Sequence, residues 1–204
     1  MGVYRDQLLP RLTDVVLASD ELARIRERVA SGLDGEVLEV GFGSGLNVPH
    51  YPRTVDRVRA VEPSRVALKL AQKRVATSGI AVEYVGAEGG TLPLADRCVD
   101  HVLVTWTLCT IADVSVALAE MRRVLRPGGR LHFVEHGRSP HPRVARWQDV
   151  LNPLQRRWAG GCNLNRSIDR LVEAAGFELE KIENYYVRAP RLVGYLYEGV
   201  GIKV

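Results

Sequence analysis

The stretch Glu36-Val37-Leu38-Glu39-Val40-Gly41-Phe42-Gly43-Ser44-Gly45-Leu46-Asn47 decides how this chain is read. Val37-Leu38-Glu39-Val40 is short, apolar and β-branched in character, as a strand buried in a parallel sheet should be. It runs into three glycines at alternate positions, Gly41, Gly43 and Gly45. A loop without Cβ atoms lets backbone N–H groups come close against a ligand. A second apolar run, Val58-Arg59-Ala60-Val61, ends at Glu62, 21 positions after Gly41. An acid about 20 residues beyond such a loop is placed to hold a ribose in a doubly wound sheet.

The spacing separates two ligand classes. The dinucleotide fingerprint is G-x-G-x-x-G; here the third glycine arrives one residue early and Leu46 holds the sixth position. Glu39, two residues before Gly41, adds an acid suited to an ammonium group. The pattern E-x-G-x-G-x-G resembles motif I of the class I S-adenosylmethionine-dependent methyltransferases. That resemblance implies cofactor contacts at Glu39, Gly41, Phe42, Gly43, Ser44, Gly45 and Asn47, then at Glu62 and Pro63. A glycine-rich turn with no ligand is the alternative on the loop alone, and the two acids argue against it.

The bulk composition fits a globular protein. Of the 204 residues, 46% are hydrophobic and 25% charged, which supports one well-packed domain and excludes a disordered chain. The net charge of +4 is mild, and a solvated charged face explains it without an acidic partner. Cys98, Cys109 and Cys162 are odd in number and lack C-x-x-C spacing, so neither a disulfide framework nor a metal site is expected. The N-terminal residues have no uninterrupted apolar segment, so no stable membrane anchor is expected and the protein reads as cytoplasmic.

Taken in order, residues 1–34 are expected to form cap helices, broken at Pro10 and near Ser19-Asp20, with Asp20 capping the second. Tyr4 is either a lid residue near the acceptor or a packing tyrosine. Pro49 and Pro52 leave room for a short helix only. A strand over 57–62 leads to a helix capped by Ser64 and stopped by Gly79, and 80–85 is the third strand. In Gly86-Ala87-Glu88-Gly89-Gly90, the family resemblance places the contact to the adenine amino group. Its usual Asp is replaced by Ala87, so Ala87, Glu88 and Gly89 are the positions expected there.

Val99–Val104 is the expected fourth strand, and Thr105-Trp106-Thr107-Leu108-Cys109 lies at its carboxyl end, where open α/β sheets bind ligands. Thr105, Trp106 and Thr107 are expected beside the cofactor, with Trp106 or Cys109 facing the acceptor. Asp113 caps the next helix, and Leu125-Arg126-Pro127-Gly128-Gly129 before a strand over 130–135 resembles the corresponding methyltransferase motif. Residues 137–164, rich in Arg, Pro and aromatics, are expected to be a lid over the acceptor, with Trp147 facing it. A nucleic-acid partner is the weaker reading of the same composition. Strands over 177–184 and 192–204 complete a Rossmann-like, doubly wound seven-stranded α/β sheet, mostly parallel with an antiparallel closing strand.

A narrower resemblance extends into the lid. Gly41-Phe-Gly-Ser-Gly-Leu-Asn-Val-Pro-His-Tyr-Pro52, Leu108-Cys109, Arg122-Arg-Val-Leu-Arg-Pro-Gly-Gly129, Glu135-His136, Gly161-Cys162 and Leu164-x-Arg166 are similar to the methyltransferase-like protein 7 group. These are alkyl thiol methyltransferases of animals and their bacterial relatives. The resemblance implies a small-molecule acceptor, with a thiol the first candidate; O-, N- or C-methylation of a phenol, quinone precursor, heterocycle or lipid head group is the alternative. A non-catalytic cofactor-binding module is the remoter one. A free thiol of pKa about 8.5 is only a few per cent ionised at neutral pH, so a base or a positive field helps. His136, at the end of a strand beside the cleft, is read either as that base or as a packing residue. Cys109 and Cys162 read as small buried cysteines.

Overall fold

A computed structural model describes residues 4–86 and 90–204. Seven strands form one sheet: β1 (Gly35–Val40), β2 (Val55–Val61), β3 (Ala81–Tyr84), β4 (Val99–Thr105), β5 (Leu125–His136), β6 (Phe177–Tyr186) and β7 (Tyr195–Lys203). Six α-helices accompany them: α1 (Leu9–Leu17), α2 (Asp20–Ala30), α3 (Arg65–Ser78), α4 (Val114–Val124), α5 (Pro142–Trp158) and α6 (Ile168–Ala174).

The strand order is β3-β2-β1-β4-β5-β7-β6. The first five strands pair in parallel, and β7 runs antiparallel between β5 and β6. Chain order therefore reverses between β1 and β4, and a crevice opens outside their carboxyl ends. Register brings the site residues to that edge. Val40 pairs with Val61 on one side and Val104 on the other, and Thr105 pairs with Val134. Gly41, Glu62 and Trp106 consequently leave the sheet at nearly one level, beside Glu135 near the end of β5.

The central strands are apolar on both faces, as a sheet covered twice must be. Leu38, Val102, Val104, Leu131 and Phe133 pack with Leu118, Met121 and Ile168 from α4 and α6. Val37, Val58, Leu103 and Val134 pack with Ile25, Val29 and Ala71 from α2 and α3. Ser64 accepts the Ala67 N–H and starts α3, while Gly79 at φ 73° closes it, as its sequence predicts.

Some boundaries differ from expectation. Pro10 does not interrupt the helical segment; a π-helical turn, Tyr4–Leu8, runs into α1 without a gap, and Pro10 stands just past the change from π to α geometry. Ser19, not Asp20, caps α2, with extended backbone and its hydroxyl accepting from Leu22. Strand β5 begins at Leu125, before Gly128 and Gly129, and β7 begins only at Tyr195. The lid segment is chiefly α5, which carries Pro153 within it.

Candidate active site

A cavity of about 1320 Å³ occupies the crevice at the carboxyl ends of β1 and β4. Sites for drug-sized ligands run to ~1000 Å³, so this one has room for a nucleoside-sized ligand together with a small second molecule.

The glycine loop forms one wall, and its three glycines do different things. Gly41 has φ 79°, and a Cβ there would strike the Thr107 side chain. Gly43 has φ 57° and lines the cavity, and a Cβ there would meet only the Gly41 carbonyl, at 3.9 Å. Gly43 thus presents bare backbone to the cavity. Gly45 is not on the cavity wall; a Cβ there would press on Val48, Ala71 and Phe42, so its role is packing between the loop and α3. Phe42, buried, stands edge-on to Tyr84.

Glu62 accepts the Gly43 N–H at 2.8 Å and the Ser64 N–H at 2.7 Å. It ties the loop to the start of α3 and still presents lone pairs to the cavity. Burial outweighs those two bonds and raises its carboxyl above the usual range. Pro63 lines the wall beside it.

At the cavity floor lies a buried polar network. Glu39 accepts the Asn47 amide at 2.6 Å and the Tyr51 hydroxyl. Asn47 also bonds Thr105, and the Arg26 guanidinium donates to Asn47 at 2.9 Å and to Thr105 at 3.0 Å. Burial pushes the Glu39 carboxyl up to about 8 and brings Arg26 down to about 10, so Arg26 stays charged at neutral pH. Arg26 Nε is buried and has no partner among the described residues. Arg26 also stacks over Trp106, 4.5 Å from the ring centre. Trp106 itself has φ 50°, uncommon for a bulky residue, and is fixed by its N–H to the Val134 carbonyl. Neither the role of Arg26 nor the strain at Trp106 was predicted. The one available signal was an arginine placed between Leu22, Ile25 and Val29 on the apolar face of α2.

The third wall joins β4, β5 and the lid. Glu135 accepts three backbone N–H groups, from Thr107 at 2.6 Å, Leu108 at 2.8 Å and Cys109 at 3.2 Å. Burial nevertheless moves its carboxyl up to about 7. This nest fixes the turn after β4 and sets Cys109 beside His136. His136 Nε2 lies 2.8 Å from Cys162 Sγ, which lies 3.8 Å from Cys109 Sγ. All three residues are buried and line the cavity. The bond from Cys109 and that from His136 hold the Cys162 thiol well below its ordinary range, while burial and the same bond raise Cys109. Burial alone would lower His136, but Cys162 and Glu135 together raise it. The cysteines and the histidine come from three separate segments, so spacing along the chain could not reveal the cluster.

Other expected site residues stand elsewhere. Ser44 lines the cavity, with its hydroxyl given to Asp14 of α1 at 2.5 Å. Trp147 is 60% exposed and off the cavity, because α5 turns that face outward. Tyr4 is also off the wall; its hydroxyl donates to the Trp158 carbonyl at 2.9 Å, joining the chain's start to the end of α5. Gly86 and Gly90 line the cavity, whereas Ala87, Glu88 and Gly89 lie outside the described residues.

Comparison with known proteins agrees with this geometry. Residues 38–133 match the family model of a methyltransferase domain. The chain is 35% identical over 192 residues to human thiol S-methyltransferase TMT1A, spanning 92% of this chain and 75% of that protein. It is 31% identical over 119 residues to the ubiquinone/menaquinone biosynthesis C-methyltransferase UbiE of Hahella chejuensis, spanning 56% of this chain and 48% of that one. A crystal structure of a putative methyltransferase from Bacillus halodurans C-125 superposes with a TM-score of 0.72 at 19% identity, over 89% of this chain and 98% of that one.

Proposed function

The chain belongs to the S-adenosylmethionine-dependent methyltransferases, in one family with human TMT1A, and on that footing we propose that it methylates the sulfur of a small apolar thiol. The observation that carries the choice of acceptor is the Cys109–His136–Cys162 cluster, set into a cavity otherwise walled by residues such as Leu12, Val16, Leu17, Ile111 and Val193. An apolar body packs against those side chains, and a thiol head needs a place to lose its proton.

The cavity residues fit the cofactor. Gly43 offers open backbone, Glu62 has acceptor capacity left for ribose hydroxyls, and Glu39 faces the cavity, where an ammonium group would draw the proton off the carboxyl that burial keeps neutral in the empty site. The unpartnered buried Nε of Arg26 suits a carboxylate. When bound, S-adenosylmethionine supplies an activated methyl group, so the protein's task is to place a deprotonated sulfur in line with it. The 107–109 turn, held by Glu135, positions Cys109 and narrows the acceptor end. His136 does not stand as the lone base that its position at a strand end suggested; its Nε2 is engaged by Cys162. The cluster as a whole is where the acceptor's proton is handled. Similarity to a C-methyltransferase makes a phenolic acceptor the natural competitor.

The test is transfer of labelled methyl to a simple alkyl thiol, with a phenol and an amino alcohol as parallel acceptors. Enzyme-dependent labelled thioether is expected, and His136→Ala should lower turnover at least tenfold with cofactor affinity unchanged. Transfer to the phenol and none to any thiol would overturn the reading.

A further inference from the structure

We propose that Cys109, His136 and Cys162 form a Zn²⁺ site that opens into the cavity and receives the acceptor as a metal-bound thiolate; the inference rests on the thiol reading above. Their Sγ, Nε2 and Sγ atoms all lie within 4.8 Å of one another. Tetrahedral zinc with Zn–S bonds of about 2.3 Å holds two sulfurs about 3.8 Å apart. That is the separation of Cys109 and Cys162 Sγ, 3.8 Å. A histidine nitrogen on the same ion sits about 3.5 Å from each sulfur, so the His136 ring, now 2.8 Å from Cys162, needs to swing back slightly.

Donor chemistry points to the same ion. Two thiolates and an imidazole suit zinc and are poor ligands for magnesium or calcium. Three protein ligands leave one tetrahedral position free, which is the arrangement of catalytic rather than structural zinc. Here that position is assigned to the cavity, since all three residues line the open space. The backbone segments that carry the ligands are also held in place. Cys109 rides on the turn fixed by Glu135, and His136 ends β5 in register with Leu196. Asn163, next to Cys162, bonds the Cys109 carbonyl through both its backbone N–H (2.8 Å) and its side chain (2.9 Å). The lid and the β4 turn are therefore stapled together around the three ligand atoms.

The chemical step asked of the ion is simple. An acceptor R–S–H exchanges its S–H bond for an S–Zn bond, the proton leaves to solvent, and no electron changes hands. Zinc lowers the pKa of bound water to about 7 and deprotonates a coordinating thiol outright. This solves the difficulty of a thiol that is mostly protonated at neutral pH, in a cavity where burial disfavours a free anion.

The measurement is metal content of the purified full chain, followed by Co²⁺ titration of the metal-free protein. One ion per chain is expected, with a near-ultraviolet thiolate-to-cobalt band and the intense visible bands of a tetrahedral site. Cys109→Ser, Cys162→Ser and His136→Ala should each weaken cobalt binding at least tenfold, with S-adenosylhomocysteine affinity on the same samples confirming that each variant is folded. Cys98→Ser, remote from the cluster, should retain the full spectrum. Adding an alkyl thiol should shift the visible bands as it takes the fourth position. Stoichiometric cobalt that survives Cys162→Ser, or thiol methylation at full rate in metal-free enzyme, would overturn the proposal and leave the thiol reading standing. A bound, cluster-dependent ion with no methylation of any thiol would sink the thiol reading and keep the site.

Discussion

Glu62→Gln isolates what the acid at the end of β2 does. The substitution keeps the side chain's size and removes its charge. In the wild type the two carboxylate oxygens accept the Gly43 and Ser64 N–H groups at 2.8 and 2.7 Å. Glutamine has one acceptor oxygen, so its NH₂ must point at one of those N–H groups, donor against donor. An unsatisfied buried donor costs about 1–3 kcal/mol. For a chain of this size that is a fall in Tm of roughly 2–12 °C. Cofactor affinity suffers separately, because a ribose hydroxyl exchanges a charged acceptor for a neutral or misdirected one. Hydrogen bonds to charged groups contribute about 1.5–3 kcal/mol, which corresponds to a Kd weakened by roughly 10- to 150-fold. Calorimetric titration with S-adenosylhomocysteine and a thermal melt on the same sample read both effects. Glu62→Ala should lose as much affinity but less Tm, since water can then reach both N–H groups. A Glu62→Gln protein that binds within threefold of wild type and melts at the same temperature would refute this account of the ribose end.

Three further outcomes are expected. Arg26→Met should weaken S-adenosylhomocysteine binding by roughly 10-fold or more, as for a lost charged hydrogen bond, yet leave an analogue lacking the amino-acid carboxylate unaffected; equal losses for both ligands would remove Arg26 from the carboxylate site. Glu39, raised by burial to about 8 when folded and near 4.3 when unfolded, keeps its proton in the fold while the unfolded chain loses it. Its contribution to stability is therefore whole below the unfolded pKa and is lost as pH rises toward 8. Urea denaturation of ligand-free protein should show Glu39→Gln gaining on wild type between pH 5 and 8, and a pH-independent difference would contradict the raised pKa. Glu135→Gln leaves one of three backbone donors unmatched, so a loss of about 1–3 kcal/mol in stability should accompany a drop in kcat, with cofactor Kd changed little; an unaltered kcat would mean that the Cys109 turn holds its place without the nest.

What was legible in the sequence is what local chemistry writes locally. Glu39, Gly41, Gly43 and Glu62 sit within one strand-loop-strand unit, their spacing predicts a shared site, and all four line one cavity. Caps such as Ser64 and Asp113 act on N–H groups three residues away, and both initiate the helices expected of them. Residues brought together by topology were harder to see. Arg26 reaches Asn47 and Thr105 across 21 and 79 positions, and only the packing of α2 on the sheet edge joins them. Cys162 meets His136 because the chain returns after α5, an event with no periodic signature. Trp147 shows the converse error: an aromatic in a lid segment suggested a ligand contact, but the helix rotates it toward solvent. Gly45 belonged to the motif yet serves packing, because a glycine reports close approach without saying what approaches.

The way α1 is fastened has a consequence for turnover. No residue of α1 is buried, although several of its side chains line the cavity. Its polar moorings are Asp14 to the Ser44 hydroxyl at 2.5 Å and to Arg74 at 3.0 Å. A charged hydrogen bond and a partly exposed ion pair together amount to about 2–4 kcal/mol. With so few contacts at stake, α1 is the part of the cavity wall whose opening costs least. Because one mooring is Ser44 itself, α1 is latched directly to the glycine loop. Occupancy of the glycine loop should therefore be felt at the doorway, and product-inhibition patterns of a compulsory order, nucleoside first in and last out, are the expected kinetic sign.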